Sequence, residues 1–433
     1  MSDLPTIVGG RLKDRSLLTE GKLARALKAL DGNGEETRLV GGAVRDLVLD
    51  LPLGDFDLAT TARPEVTMKR ARDAGFKVAP TGVKHGTVTV IVDGLAIETT
   101  TLREDIETDG RHAKVRFGRD FAEDARRRDF TINALSLSRD GFIHDYTGGL
   151  ADLAKRRVRF IGDARSRIRE DFLRSLRFFR FSAGYGEGTL DSDGLRAAIQ
   201  ERDGLALLSR ERVRAELMKL LKARRAGEIV AQCCEAGLLG PLIASAADPA
   251  RLRRLIAVEA ARASAPDPLL RLAALGLMIV EDAERLRDRL RLSNAEYERL
   301  AGAADAFEAL HGLQAPPSLG DLRALLFARK RMTAQDALTL AHIDSSAAPG
   351  DAAFASAFRF LSDTPEPTLP FTGADIVARG IAQGQGIGAT LKNLQALWIR
   401  AGFPTEPKQL ARLLDEALAR AKDYAPIIRG PPE

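Results

Sequence analysis

The spacing of hydrophobic positions changes character near residue 150. Before it, Leu23, Leu27 and Leu30 recur at helical spacing until Asp31-Gly32-Asn33-Gly34 ends the run. Short β-competent segments follow. Arg38-Leu39-Val40 runs into Gly41-Gly42, Phe56 to Ala59 is apolar, and Thr87 to Val92 meets Leu95 to Thr101 across Asp93-Gly94, a hairpin signal. Phe130 to Ser138 and Phe142 to Tyr146 read as two more strands around the turn Arg139-Asp140-Gly141. Beyond residue 150 the strand signals fade into Leu-, Ala- and Arg-rich segments of helical spacing, as in Leu205 to Leu221 and Ala283 to Leu300. Pro266-Asp267-Pro268, Pro316-Pro317 and Asp363 to Pro370 break that part into helical units. The pattern predicts an α+β chain with a mixed, mostly antiparallel sheet in a head of residues 1–150, followed by an all-α extension.

Composition narrows the class. Across 433 residues, 45% hydrophobic and 29% charged content is that of a globular protein large enough for several domains. The net charge of +5 leans toward a polyanionic partner, and its distribution is more telling. Lys155 to Arg180 carries ten Lys and Arg against Asp163, Glu170 and Asp171, and Arg111 to Arg128 carries seven against three acids. The two cysteines, Cys233 and Cys234, are adjacent, which excludes a disulfide framework and suggests buried residues of a helix in a reducing, cytoplasmic setting. Met1 to Pro5 lacks the basic-then-apolar order of a secretory leader, and Leu269 to Val280 is too short and too interrupted by Arg271 to span a bilayer. No membrane association is expected.

The chemistry concentrates in Gly41-Gly42-Ala43-Val44-Arg45-Asp46 followed by Asp55-Phe56-Asp57. Residues two apart in a strand share a side, so Asp55 and Asp57 present two carboxylates to one point while Phe56 turns toward the core. Like charges so placed are unfavourable without a cation between them. Mg2+ suits them, because it takes oxygen ligands and leaves positions for phosphate. Gly41-Gly42 at a strand end lets backbone N–H groups approach phosphate, and Arg45 in the first turn of a following helix is a candidate triphosphate ligand. Glu98, in Ile97-Glu98-Thr99, offers a third carboxylate, and fits a solvent-facing strand position equally well. Arg103 lies five residues further on and is a second phosphate candidate.

These motifs resemble the DNA polymerase beta-like nucleotidyltransferases. Within that superfamily they are similar to class II CCA-adding enzymes and the related bacterial poly(A) polymerases. The resemblance runs through Gly41 to Asp57, then Arg127-Arg128-Asp129-Phe130-Thr131-Ile132-Asn133-Ala134, Asp145 to Gly149, Glu170-Asp171-Phe172-Leu173-Arg174-Ser175-Leu176-Arg177, and Ser209-Arg210-Glu211-Arg212-Val213. It is strongest over residues 37–225. It implies a nucleotidyltransferase head (1–150), a helical neck that reads the base (151–225), and a helical body and tail that grip tRNA (226–433). It also implies ATP and CTP as substrates. Asp55, Asp57 and Glu98 would position metal, and Gly42, Arg45 and Arg103 would bind the triphosphate. Arg128, Asp129 and Asn133 would lie near the ribose, with Arg177 and Arg180 close to base or phosphate.

Asp171, Arg174, Arg177 and Arg180 recur every three residues, which on one helix places them near one face, with Phe172, Leu176 and Phe179 packed inside. Asp171 can accept from the exocyclic amino group that adenine and cytosine share, and Arg174 can donate to the adjacent ring nitrogen. Guanine and uracil present the opposite polarity. Glu104 to Asp124 is similar to the flexible loop of these enzymes. Phe371 to Ile376 and Gly384 to Gly388 match turns of their C-terminal region. A paired His-Asp phosphohydrolase domain is not expected, since only His311 and His342 lie beyond residue 150; His85, His112 and His144 read as local hydrogen-bonding groups. Three other readings share parts of the pattern: a poly(A) polymerase or an enzyme adding only CC or only A, a catalytically inactive RNA-binding module, and a metal-dependent glycosyltransferase built on the Asp-x-Asp.

Overall fold

A computed structural model describes residues 4–105, 115–379 and 385–423. The centre of the Glu104 to Asp124 segment, His112 with it, and Gly384 lie outside the described residues. The chain divides into two compact units, Met1–Ala247 with Arg289–Arg291, and Asp248–Asp288 with Leu292–Glu433.

The first unit is built on a sheet of β1 (Thr37–Val40), β2 (Phe56–Thr60), β3 (Lys77–Gly82), β4 (Thr87–Val92), β5 (Leu95–Thr101), β6 (Ser136–Leu137) and β7 (Ile143–His144). Their spatial order is β7-β6-β1-β2-β5-β4-β3. Every pairing is antiparallel except β2 with β5. The β4–β5 hairpin turns on Asp93 and Gly94, both at positive φ (48° and 84°), as a two-residue turn matched to strand twist requires. Along β4, Val88, Val90 and Val92 are buried and their neighbours only partly so, which is the alternation of a sheet with one covered face. The helices Gly21–Leu30 and Pro64–Asp73 lie against it.

Phe130 to Ser138 is not one strand. A 3-10 turn, Thr131–Asn133, precedes the two-residue β6. The Asp129 carboxylate accepts from the Phe130 N–H (2.9 Å) and from Asn133 Nδ2 (3.3 Å), which folds the chain back on itself. The fully buried Phe130 ring packs on Phe160 (4.7 Å between centroids) and Phe181 (5.3 Å). Tertiary packing overrides the β propensity of this segment.

The expected base-reading helix is also broken. It consists of α2 (Ala164–Glu170) and α3 (Leu173–Tyr185), with Asp171 between them in extended conformation (φ −154°, ψ 106°). Asp171 therefore does not share a helical face with Arg174, Arg177 and Arg180. Leu176 and Phe179 are buried as expected, whereas Phe172 and Phe56 are only half-buried. Leu205 to Leu221 likewise splits into a 3-10 turn, Arg202–Leu207, and α4 (Arg210–Lys222), whose N-cap Ser209 accepts from the Arg212 N–H.

The second unit is helical. Asp248-Pro249 and Asp267-Pro268 open two of its helices with an acidic cap followed by proline at the first helical position, and each carboxylate accepts from two backbone N–H groups. Leu322, Leu326, Leu338, Phe354 and Leu361 form one core, and Ile376, Leu394, Leu397 and Leu414 another. Phe371 to Ile376 proves to be a helix start, where Thr372 and Asp375 form a capping box. Cys233 is buried on the helix Ala226–Glu235 of the first unit, where burial pushes its thiol far up.

Candidate active site

Val40, the last residue of β1, pairs with Asp57, and Asp57 pairs in turn with Glu98 across the parallel β2–β5 ladder. In-register neighbours point to the same face. Ile97 and Thr99 are buried while Glu98 and Asp57 are exposed, so both carboxylates leave the core on the open face of the sheet. This register sets Glu98 beside Asp57 on the same face. Asp55 lies just before β2 and is exposed as well. Burial, then the negative charge of Glu98 and Asp55, pushes the Asp57 carboxyl above its ordinary range, with Arg128 pulling the other way. Among the described residues none of the three makes an ion pair, and no three His, Cys, Asp or Glu side chains converge as a preformed metal cluster. Adjacent in-register carboxylates with an upward-shifted group, and only Arg128 acting on it without an ion pair, fit a divalent ion.

Between β1 and α1 (Gly42–Val48), Gly41 adopts φ 72° and ψ −129°, a conformation only glycine takes easily. A Cβ there would stand 2.9 Å from Arg128 Nη1. This bare corner opens on a cavity of about 670 Å³, which gathers residues from across the first unit. Of the expected site residues, Gly42, Arg45, Asp57, Arg128, Asp129, Asn133, Asp171, Arg174, Arg177 and Arg180 line it. Asp55, Glu98 and Arg103 do not; Arg103 lies in a short ribbon, Arg103–Asp105 against Val115–Phe117. Arg127, Leu173, Phe181, Arg212 and Lys219 line the cavity without having stood out in the sequence. Arg127, Leu173 and Arg212 carried a signal there as members of longer motifs; Phe181 and Lys219 carried none.

The wall is one chain of alternating charges. Arg45 is 5% exposed. It donates to Asp46 (2.9 and 3.1 Å), to Asn133 Oδ1 (2.6 Å) and to the Tyr185 hydroxyl, and its guanidinium lies 3.8 Å from the Tyr185 ring centre. Asn133 bonds Asp129, Asp129 accepts from Arg177 Nε (2.7 Å), and the buried Glu216 of α4 accepts from Arg180 and stands 3.7 Å from Arg177. Burial, with Arg177 adding to it, lowers the Arg180 guanidinium from its usual value while Glu216 opposes the shift. Arg45 is thus a fixed strut whose donors are mostly taken.

At the far side of the cavity Asp171 accepts from Arg212 Nη2 (2.7 Å) and from the Leu173 N–H (3.2 Å). Arg174 donates to the Arg167 carbonyl (3.0 Å) and pairs with Glu170. The two side chains face the same space without bonding each other. Asp145, at the start of the helix Gly149–Ala154, accepts from four successive backbone N–H groups, Thr147 to Leu150, at 2.8–3.1 Å. His144 stands 3.2 Å from the Ser138 hydroxyl, a local contact.

Residues 37–159 match the family described as the poly A polymerase head domain. The mouse (Mus musculus) mitochondrial CCA tRNA nucleotidyltransferase 1 is 34% identical over 413 residues, covering 92% of this chain and 90% of that protein. The CCA-adding enzyme of Leuconostoc citreum is 41% identical over 216 residues, which is 49% of this chain and 52% of that one. Among solved structures, the Bacillus stearothermophilus CCA-adding enzyme in complex with CTP superposes with a TM-score of 0.72 at 28% identity, covering 95% of this chain and 100% of that one. Among the described residues no helix is long and apolar enough to cross a membrane.

Proposed function

This chain belongs to the class II CCA-adding tRNA nucleotidyltransferases, and from that membership we propose that it adds CCA to tRNA 3′ ends from CTP and ATP without a nucleic-acid template, using the residues around Asp57. The observation that carries this reading is the cavity itself. It brings the glycine corner and Asp57 together with Asp171 and Arg174, more than a hundred residues later in sequence. We divide the chain into a head (1–150), a base-reading neck (151–225) and a tRNA-binding body and tail (226–433).

The tRNA 3′-hydroxyl oxygen attacks the α-phosphorus, its proton is lost to solvent, and the bond to the β-phosphate oxygen breaks to release pyrophosphate. Asp55 and Asp57, with Glu98 beside them, would hold a divalent cation, assigned as Mg2+, that offsets the charge growing on the phosphate oxygens and favours the ionised hydroxyl. The Gly42 N–H at the start of α1 points to the phosphates, and Arg103 is assigned to the outer ones. Arg128, Asp129 and Asn133 contact the ribose, Arg45 keeps Asn133 oriented, and Arg177 and Arg180 form the wall beside the base. Asp171 accepts from the amino group of cytosine or adenine, and Arg174 donates to the ring nitrogen. Each exchanges a protein partner for the base, Arg212 for one and Glu170 for the other.

The decisive assay supplies Mg2+, tRNA lacking its 3′ end, and each nucleotide singly, then CTP and ATP together. Addition that halts after CCA supports the reading. Unlimited A addition replaces it with the poly(A) polymerase, and no incorporation ends both. Asp171→Ala should raise kcat/KM for GTP and UTP relative to CTP and ATP by about 10- to 100-fold, the value of one bidentate base contact. An unchanged ratio removes Asp171 from base choice. Tyr185→Leu should raise the KM for both nucleotides by about 2- to 30-fold, since a partly desolvated cation–π contact contributes about 0.5–2 kcal/mol. Tyr185→Phe, which keeps the ring but loses the hydroxyl that accepts from Arg45, should show a smaller rise than Tyr185→Leu. Equal effects of the two changes would refute the stacking role.

A further inference from the structure

Beside the nucleotide cavity lies a second cleft of about 410 Å³, walled by Asp124, Arg127, Arg128, Arg167, Glu170 and Arg174. Arg127, Arg128 and Arg174 line both spaces, so the two adjoin along a row of three guanidinium groups. We propose that this cleft binds a phosphodiester of the RNA acceptor close to its 3′ end. The proposal rests on the transfer reading above.

Three features point to an anion. First, all six wall residues are charged, and none offers the flat apolar surface on which a base stacks. Second, the carboxylates offset only half of the positive charge. Asp124 serves both Arg127 and Arg128, accepting from their Nε atoms at 2.9 and 3.2 Å, and Glu170 serves both Arg167 and Arg174. Third, Arg127 Nη1 and Arg128 Nη2 are engaged by no described protein group, so donors face the space. Arg167, by contrast, is tied to the carbonyls of Ile161 and Arg126 and forms fixed wall.

The same chemistry would suit the pyrophosphate end of the nucleotide. Position argues for the acceptor instead. The glycine corner and Arg45 are absent from this cleft, whereas Arg174 and Glu170, on the base side, are in it. An incoming 3′-hydroxyl must also arrive beside the nucleotide with its own phosphate behind it.

Arg127→Gln removes one charge from a side chain that lines both spaces, so the tRNA and nucleotide KM values are compared as a ratio. On full-length protein with tRNA lacking its 3′ end, the KM for tRNA should rise about tenfold. The slope of log KM against log salt concentration should become shallower by about one. The KM for CTP and ATP and inhibition by added pyrophosphate should change less than the KM for tRNA, so that the ratio of tRNA KM to nucleotide KM rises by several-fold. Arg127→Lys keeps the charge and should retain a tRNA KM near the wild type, which separates lost charge from lost fold. A raised nucleotide KM or weakened pyrophosphate inhibition at constant tRNA KM would assign the cleft to the leaving group and overturn the proposal. Unchanged KM values for both substrates would also overturn it. Failure of the transfer reading is read separately, as absence of incorporation by the wild-type protein.

Discussion

Asp57→Asn is expected to lower nucleotide transfer by about 10³-fold or more while raising the melting temperature of the metal-free protein. Both effects follow from one register. Asp57 is flanked by Glu98 across the parallel ladder and by Asp55 along its own chain, and burial and those charges push its carboxyl upward. A folded-state pKa above the unfolded value means that this group's contribution is most favourable at low pH. It is lost as pH rises through the raised value. At neutral pH without a cation, the ionised carboxylate therefore opposes folding, and asparagine relieves it at nearly constant shape. With Mg2+ the order reverses: the wild type should gain melting temperature and the variant should not. Melting curves in chelator and in Mg2+, beside incorporation of labelled CMP, test the two halves together. Activity within tenfold of wild type, or a lower melting temperature in chelator, would count against Asp57 as a metal carboxylate.

The largest loss of stability is expected from Glu259→Ala, far from the chemistry in sequence. Glu259 and Arg271 are buried in the second unit, with side chains 8% and 5% exposed. The guanidinium donates to Glu259 from Nε (2.9 Å) and Nη2 (2.6 Å), and the same carboxylate accepts from the Asp267 N–H (3.3 Å) at the cap of the helix Pro268–Gly276. Alanine leaves a buried arginine without its counter-charge, at a cost of about 3–5 kcal/mol. The double change Glu259→Leu with Arg271→Met removes both charges and should recover most of that loss, because the pair itself offsets little more than its own desolvation. Denaturant titration of the three proteins measures this, and a single variant within about 1 kcal/mol of wild type would refute it.

Asp57 on a strand was legible because strand periodicity is local, and the Asp93-Gly94 turn marks where a later strand begins. That Asp55 precedes the strand and that Phe56 is only half-buried were not. That Glu98 stands beside Asp57 was not legible, since it depends on β5 pairing in parallel with β2. The break at Asp171 was hidden for a related reason. A three-residue spacing looks the same whether the helix is continuous or interrupted, and the interruption is held by Arg212, which lies forty-one residues later. The surroundings of Arg45 were hidden as well. Beside a glycine corner it reads as a phosphate ligand, and it lines the cavity, but its hydrogen bonds to Asn133 and Tyr185 come from residues far from it in sequence. Partners supplied by tertiary structure decided each case.

The one parallel pairing in the sheet also bears on the order of folding events. β3, β4 and β5 form a meander of sequence neighbours, and such local pairs close quickly. The β2–β5 ladder joins Asp57 to Glu98 across forty-one residues, a longer loop to close than any hairpin of that meander, and is expected to form after it. Closing it brings two like charges together at a late stage. Divalent cation should therefore speed the last phase of refolding, and catalytic competence should return with that phase rather than with the bulk of the secondary structure.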